Sequence, residues 1–255
     1  MKRVLLPHAV LAVFAAVAGQ AAPARPVSSP AAPVPPAPAI PTATGLLAAC
    51  VESLPREKLV LNGALGVRRQ RGIPVAEHPF RLTLDWGATP PAVQCDLLAP
   101  DGKVRERFSL LRRDGRNELH LRGGPDLSPL PDPSLSGRVA GTDLTWLDLT
   151  LDFLWWRQAR LEGTDTVRGR DCDVVVAVAP APASGGCAAV RLWLDREVHF
   201  LLRAEELDAQ GRPVRRLSVE TFKKFGERWL IRELEIETVG SPFRTRLRVE
   251  DVPAP

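Results

Sequence analysis

The 255-residue sequence has no tyrosine, one methionine and four histidines, and aromatic residues make up 5% of it. Three histidines follow the N-terminal segment, and His78, His120 and His199 lie in no metal-ligating or nucleophile motif. The G-x-S-x-G, P-loop and G-x-G-x-x-G patterns are missing after the predicted strands, and Glu205-Glu206 is typical of a surface pair. We therefore predict that the protein is not an enzyme and binds neither a metal nor a cofactor.

The sequence also lacks a strong excess of one charge sign and a long apolar run. The chain has 34 basic and 30 acidic residues, a net charge of +4, and the two signs are interleaved, which does not indicate a nucleic-acid partner. The apolar stretch from Val4 to Val17 is too short to span a membrane. It follows Lys2-Arg3 and precedes Gly19-Gln20-Ala21, as in a secretory signal peptide. We predict a signal peptide over 1–21, export to the periplasm and, without a nearby cysteine, no lipid anchor.

Residues 22–43 contain eight prolines and one large hydrophobic residue, Ile40. This composition cannot bury a core and favours extended polyproline conformations. We predict a disordered linker here, with a docking motif for a proline-reading partner as the alternative. The remaining residues, 44–255, are enough for one well-cored domain.

Four cysteines lie in that domain, and none forms a C-x-x-C pair: Cys50, Cys95, Cys172 and Cys187. An even number in an exported chain permits two disulfides, in three pairings among which the sequence does not choose.

Apolar and polar residues alternate through most of the domain, which predicts antiparallel strands with one wet face. The strands are expected at 58–68, 80–86, 93–99, 103–111, 116–122, 159–168, 171–179, 188–195, 198–207, 213–225, 229–238 and 244–249. If Val239 to Pro242 form a turn, three acids face three arginines across the last pair: Glu233 and Arg248, Glu235 and Arg246, Glu237 and Arg244. We interpret this row as a solvated ladder that sets the register, rather than as an anion site.

Residues 141–161, GTDLTWLDLTLDFLWWRQARL, interrupt the alternation. Thr145 and Asp148 have the spacing of a helix N-cap and its partner, and the following apolar residues cover most of a helix surface. We predict a helix over 145–156 and a second one over 46–54. The predicted fold class is mainly β with a few helices (α+β): a curved antiparallel half-barrel with the helices on its concave face.

The segments GTDLTWLDLTLDFLWW, VRGRDCDVVV, AAVRLWLDREVHFLLRAEELDAQGRPVRRL and KKFGERWLIRELEIE resemble bacterial outer-membrane lipoprotein-sorting proteins related to LolA. The pattern covers residues 141–239 and rests on order and spacing at Gly141, Asp143, Gly169, Cys172, Trp193, Asp195, Gly211 and Trp229.

The resemblance implies a half-barrel whose apolar cavity shields lipoprotein acyl chains in the periplasm. It implies a lipid or acylated lipoprotein as cargo, an inner-membrane transporter as donor and an outer-membrane receptor as acceptor. It also implies an early-strand arginine that locks a lid, for which Arg68, Arg69 and Arg81 are the candidates. The alternative function is a non-catalytic envelope scaffold or interaction module with the same fold.

On this basis we predict that one set of apolar residues lines the cavity or its lid: Leu82, Leu84, Trp86, Trp146, Leu149, Phe153, Trp155, Trp156, Leu234, Ile236 and Leu247. The alternative for the tryptophan-rich helix is a permanent core. Trp193 and Trp229 are expected to pack on the sheet.

Overall fold

The computed structural model describes residues 41–69, 72–180, 187–226 and 228–253. The predicted signal peptide and most of the predicted linker lie outside these residues. The first helix, α1, spans Ala43–Glu52, and the Thr42 hydroxyl caps it by accepting a hydrogen bond from the Gly45 amide at 3.1 Å. The end of the linker that we predicted over 22–43 therefore forms the cap and the first residue of α1.

In the part of the chain that the structure describes, thirteen strands form one antiparallel sheet. They are β1 Leu59–Arg69, β2 Pro74–Asp85, β3 Ala92–Leu98, β4 Val104–Arg113, β5 Arg116–Gly123, β6 Ser128–Pro129, β7 Gln158–Val167, β8 Arg170–Val178, β9 Ala189–Asp195, β10 Leu201–Leu207, β11 Pro213–Phe225, β12 Arg228–Thr238 and β13 Phe243–Asp251. Their order is β6-β5-β4-β3-β2-β1-β13-β12-β11-β10-β9-β8-β7, so the sheet is not closed and β1 pairs with β13 near its middle. The predicted fold class is confirmed.

The predicted register of the last hairpin is confirmed. Glu233 lies opposite Arg248, and Glu235 lies opposite Arg246. Glu235 accepts hydrogen bonds from both Arg244 and Arg246, at 2.7 and 2.8 Å. Because these arginines already have carboxylate partners on a partly exposed face, the row is a charge ladder whose individual pairs each contribute little.

A short segment after β6 joins the two halves of the sheet. Asp148 in this segment pairs with Arg215 of β11, and Asp152 pairs with Arg112 of β4 at 2.7 Å. Strands β4 and β11 are six positions apart in the sheet, or about 29 Å if the sheet were flat, at about 4.8 Å per strand. Two carboxylates only four residues apart reach both strands, so the sheet must curve around the segment.

The prediction of one continuous helix over 145–156 is wrong in one respect, because the helix is broken at Leu151. Helix α2 spans Trp146–Thr150, Leu151 takes a left-handed conformation with φ of 50°, and a 3-10 helix covers Asp152–Trp155. The predicted capping contact is present, since the Asp148 carboxylate accepts from the Thr145 amide at 2.9 Å and from its hydroxyl at 2.8 Å. In the described part of the chain, neither this segment nor any other helix has the length and apolarity to cross a bilayer.

The two carboxylates explain the break. In a continuous helix Asp148 and Asp152 would share one face, because residues four apart are neighbours. In the structure Asp148 bonds to Arg215 on one side, whereas Asp152 accepts from Arg112 and Asn117, at 2.7 and 2.8 Å, on the other. The left-handed Leu151 interrupts the helix between them, and the two ion pairs offset the cost of that conformation.

Arg215 provides a test of these anchors. The Arg215→Met variant leaves the buried Asp148 carboxylate without its cation, so we expect the free energy of unfolding to fall by about 3–5 kcal/mol. The matched Arg244→Met change removes a ladder arginine whose side chain is 55% exposed, and should cost about 0–1 kcal/mol. Urea unfolding followed by circular dichroism measures both. Equal losses in the two variants would contradict an anchoring role for Arg215.

Candidate functional site

A cavity of about 490 Å³ lies between α1, the broken helical segment and the inner face of the sheet. Its wall is mostly aliphatic and aromatic, with few polar groups. The lining residues are Cys50, Ser53, Leu54, Pro55, Glu57, Leu59, Leu61, Leu82, Leu84, Trp86, Asp148, Leu149, Leu151, Leu154, Phe200, Leu201, Leu217, Val219, Arg228, Trp229, Leu230, Ile231, Leu234, Leu247 and Val249. Pockets for small ligands commonly have volumes of about 300–1,000 Å³ and apolar walls.

The cavity meets solvent at the α1–β1 loop and the start of β12. Glu57, Arg228 and Trp229 line it there and are all exposed, and the Trp229 side chain is 62% exposed. An ion pair between Arg228 and Glu57 connects the two sides of this mouth. Elsewhere the wall consists of buried side chains such as Leu59 and Leu247 and of partly buried ones such as Leu84.

Six of the eleven predicted site residues line the cavity: Leu82, Leu84, Trp86, Leu149, Leu234 and Leu247. The other five do not. Trp146, Phe153, Trp156 and Ile236 are buried in the core, and Trp155 is partly buried. The helical segment instead faces the cavity with Asp148, Leu149, Leu151 and Leu154.

The tryptophans of the segment pack against the N-terminal half of the sheet. Trp146 stacks on Phe108 of β4, with ring centroids 4.3 Å apart and planes within 4°. Trp155 lies 5.2 Å from Trp86, and the Arg112 guanidinium sits 4.1 Å above its ring. These contacts pack Trp146 and Trp155 against the N-terminal half of the sheet, away from the cavity.

The start of the segment is fastened to the middle of the sheet. The Asp143 amide donates to the Thr245 hydroxyl at 3.0 Å, and its carboxylate accepts from the Thr238 hydroxyl at 2.6 Å. Arg138 also donates to this carboxylate at 3.1 Å, and Arg215 donates to the Asp143 carbonyl at 3.1 Å. The GTDLT motif therefore positions the wall of the cavity through buried hydrogen bonds.

The arginines that hold the segment are not among the three candidates, Arg68, Arg69 and Arg81, that the resemblance left open. Arg81 donates to Asn62 on an exposed face at 3.3 Å, whereas Arg112 and Arg215 make the buried ion pairs. Burial opposes the charge of Arg215, but the carboxylates of Asp148 and Glu206 outweigh this effect and raise its pKa.

Sequence reasoning missed other lining residues for two reasons. Leu59 and Leu61 belong to an inward row that the alternation identifies, so extending the site along that row finds them. Leu151 and Leu154 face the cavity because of the break at Leu151, which no local pattern signals. Trp193 is buried as expected, but the expectation for Trp229 was wrong, since that side chain is largely exposed.

All four cysteines are free and buried. Cys50 lies on the cavity wall, where burial raises the pKa of its thiol to about 12. Burial likewise raises the pKa of Cys187 to about 12, and those of Cys95 and Cys172 above the usual range. Within the described residues, no group of three or more His, Cys, Asp or Glu side chains is arranged to hold a metal ion.

Thiol titration checks this arrangement. We expect the folded protein at pH 8 to react slowly with a thiol reagent, because burial keeps the four thiols protonated. After unfolding in denaturant without reductant, four thiols per chain should react. A count of zero in denaturant would show that the chain forms two disulfides instead.

Comparison with known proteins identifies structures with a similar fold. The family model described as "-like: Uncharacterized protein" matches residues 129–254. Among curated proteins, no match was found. The solved structures that resemble the chain include a DUF1329 family protein from Desulfovibrio piger, with a TM-score of 0.69 and 14% identity over 82% of this chain and 90% of that one.

Two further structures carry family descriptions. A domain assigned to outer membrane lipoprotein sorting, from Vibrio parahaemolyticus, has a TM-score of 0.66 and 15% identity, covering 81% of this chain and 91% of its own. A LolA superfamily protein from Nitrosomonas europaea has a TM-score of 0.63 and 18% identity, over 84% of this chain and 94% of that one. With the curved sheet and the helical segment on its inner face, these likenesses confirm the resemblance found in the sequence: the chain has the LolA-like fold.

Proposed function

We propose that the protein binds the acyl chains of a lipoprotein or another lipid in its cavity, as a periplasmic carrier or binder. The observation that carries this proposal is the cavity itself, about 490 Å³ of open space behind an almost wholly apolar wall. Side chains of the size found here could have filled that space, and a core normally closes such voids.

The physical chemistry of the wall favours hydrocarbon over polar ligands. Each methylene group transferred from water to such a wall contributes about 0.8 kcal/mol. The charged groups on the wall already have partners, since Asp148 pairs with Arg215 and Glu57 pairs with Arg228. A polar ligand would lose hydrogen bonds to water there and find few to replace them.

The helical segment acts in this proposal as a fixed wall rather than as a moving lid. Lifting it would break two ion pairs, of Asp148 with Arg215 and of Asp152 with Arg112, and would expose the aromatic side chains that now pack against Phe108 and Trp86. Each methylene-sized group exposed to water in this way would cost about 0.8 kcal/mol. Entry through the existing mouth at Trp229 has no such cost.

The likenesses support the proposal at the level of the family. One similar structure is named for outer membrane lipoprotein sorting and another for the LolA superfamily, and none of the three is named for a catalytic activity. We extend this to a lipid or acylated lipoprotein as cargo, with an inner-membrane transporter and an outer-membrane receptor as its donor and acceptor.

A scaffold module is the second candidate, and one observation favours it. Among the described strands, β7 pairs with β8 alone and leaves an exposed edge to which another chain could add a strand. Exposed charges on β7, at Arg160, Glu162 and Asp165, act against such pairing, as they do on the edges of many sheets. The open cavity therefore favours the binding function over the scaffold.

Native mass spectrometry of the mature protein, recovered from a bacterial periplasm, tests the proposal directly. We expect an added mass that organic extraction removes and that matches a lipid or an acylated peptide. A bare chain that stays bare after incubation with acylated peptides would refute the binding function and leave the scaffold.

Filling the cavity should abolish binding. Leu234 lies on the cavity wall, and Leu234→Trp should weaken the binding of a fluorescent fatty acid at least about tenfold by occupying the ligand volume. Leu161→Trp, on the exposed edge strand, makes the same change outside the cavity and should leave affinity unchanged. Fluorescence titration measures both, and equal affinities for the two variants would place the ligand elsewhere.

A further inference from the structure

The mouth of the cavity has an unusual surface. Trp229 is 62% exposed and Val198 is 43% exposed, although both are apolar. Leu54, Pro55 and Phe200 are partly buried apolar residues that line the cavity together with Trp229, and Val198 precedes Phe200 by two residues in the β9–β10 turn. We call this set of five residues the rim.

Several contacts unite the rim into one surface from three parts of the chain. The Ser53 hydroxyl at the end of α1 donates to the His199 carbonyl in the β9–β10 turn at 3.3 Å. Phe200 of that turn stacks with Phe222 of β11, with ring centroids 6.3 Å apart. Arg228 at the start of β12 pairs with Glu57 of the α1–β1 loop.

Basic residues border the rim. Residues 53–58, 196–200 and 223–229, the three parts of the chain that form the rim, include six basic and three acidic residues in sequence. Arg56, Lys58, Lys223, Lys224 and Arg228 are all exposed, and the Lys223 ammonium lies 4.9 Å above the ring of Phe225. An exposed tryptophan bordered by lysines and arginines matches the boundary between lipid headgroups and acyl chains.

A second exposed apolar group lies at the other end of the central strands. Ile73 and Val75 are each 57% exposed beside the end of β1, whereas the cavity lies at the beginning of that strand. The ten residue steps from Leu59 to Arg69 span about 33 Å. Among the residues described at that end, none is a tryptophan and none lines the cavity, so it serves as a control.

We propose that the rim docks on the surface of an anionic phospholipid bilayer, with Trp229 at the headgroup level and the lysines against the lipid phosphates. This goes beyond the proposed function, since docking requires no ligand in the cavity. If the rim docks and the cavity also binds acyl chains, docking brings the mouth of the cavity to the bilayer. An acyl chain then passes between the bilayer and the cavity without crossing water.

Vesicle flotation of the mature full chain tests the proposal. We expect binding to vesicles of phosphatidylcholine with 30% phosphatidylglycerol (about one lipid in three is anionic), and little binding to phosphatidylcholine alone. Binding should weaken as salt rises, because charged surfaces are screened over about 8 Å at physiological ionic strength. Trp229→Ala should reduce binding at least about tenfold, and Lys223→Gln with Lys224→Gln about fivefold for each lysine.

Control variants make the outcome specific. Ile73→Ala and Lys103→Gln change an exposed apolar and an exposed basic residue away from the rim, and both should bind vesicles as the unaltered chain does. Equal binding to both kinds of vesicle, unchanged binding of Trp229→Ala, or a loss confined to Ile73→Ala would each overturn the proposal. Failure of the unaltered chain to bind either kind of vesicle would also overturn the proposal, and would indicate a protein partner for the rim.

The lysine variant also separates this proposal from the proposed function. Lys223 and Lys224 do not line the cavity, so their replacement should lower vesicle binding and leave the affinity for a fluorescent fatty acid in solution unchanged. Fatty-acid binding without vesicle binding would defeat the docking surface alone. Vesicle binding without fatty-acid binding would defeat the ligand cavity alone.

Discussion

Two buried carboxylates, four residues apart and held by arginines from opposite halves of one sheet, determine most of this structure. Asp148 and Asp152 connect β11 and β4 to the same short segment, which is possible only because the sheet curves. The break at Leu151 lies between the two pairs, and beside it Leu149, Leu151 and Leu154 face the cavity. Curvature, broken helix and cavity wall thus meet at these two electrostatic contacts.

The sheet was predictable from sequence because its signals are local. Alternation of polar and apolar residues places each strand within a few positions, and the Glu233, Glu235, Arg246 and Arg248 ladder sets a register that a one-residue slip would destroy. The capping contact of Thr145 with Asp148 is local in the same sense. The break at Leu151 is not, because it depends on Arg112, a residue about forty positions earlier in the chain.

The cavity was predictable only in part, for a related reason. Leu82, Leu84, Leu234 and Leu247 belong to inward rows of the sheet, so the period of two identifies them. We predicted that the tryptophans of the segment line the cavity because they are large and apolar. Their actual position depends on partners that are distant in sequence, such as Phe108. Composition gives the amount of apolar surface, and tertiary contacts decide which part of it remains open.

The pairing of β1 with β13 has a consequence for how the chain acquires this fold. The first strand of the sheet and the last are neighbours in its middle, with both halves of the meander extending outward from them. Each half can assemble from hairpins between sequential strands, but the central seam closes a loop of nearly the whole domain, and such non-local closure is slow. While the chain emerges from a ribosome or an export channel, β1 therefore stays without its second neighbour until the final strand arrives.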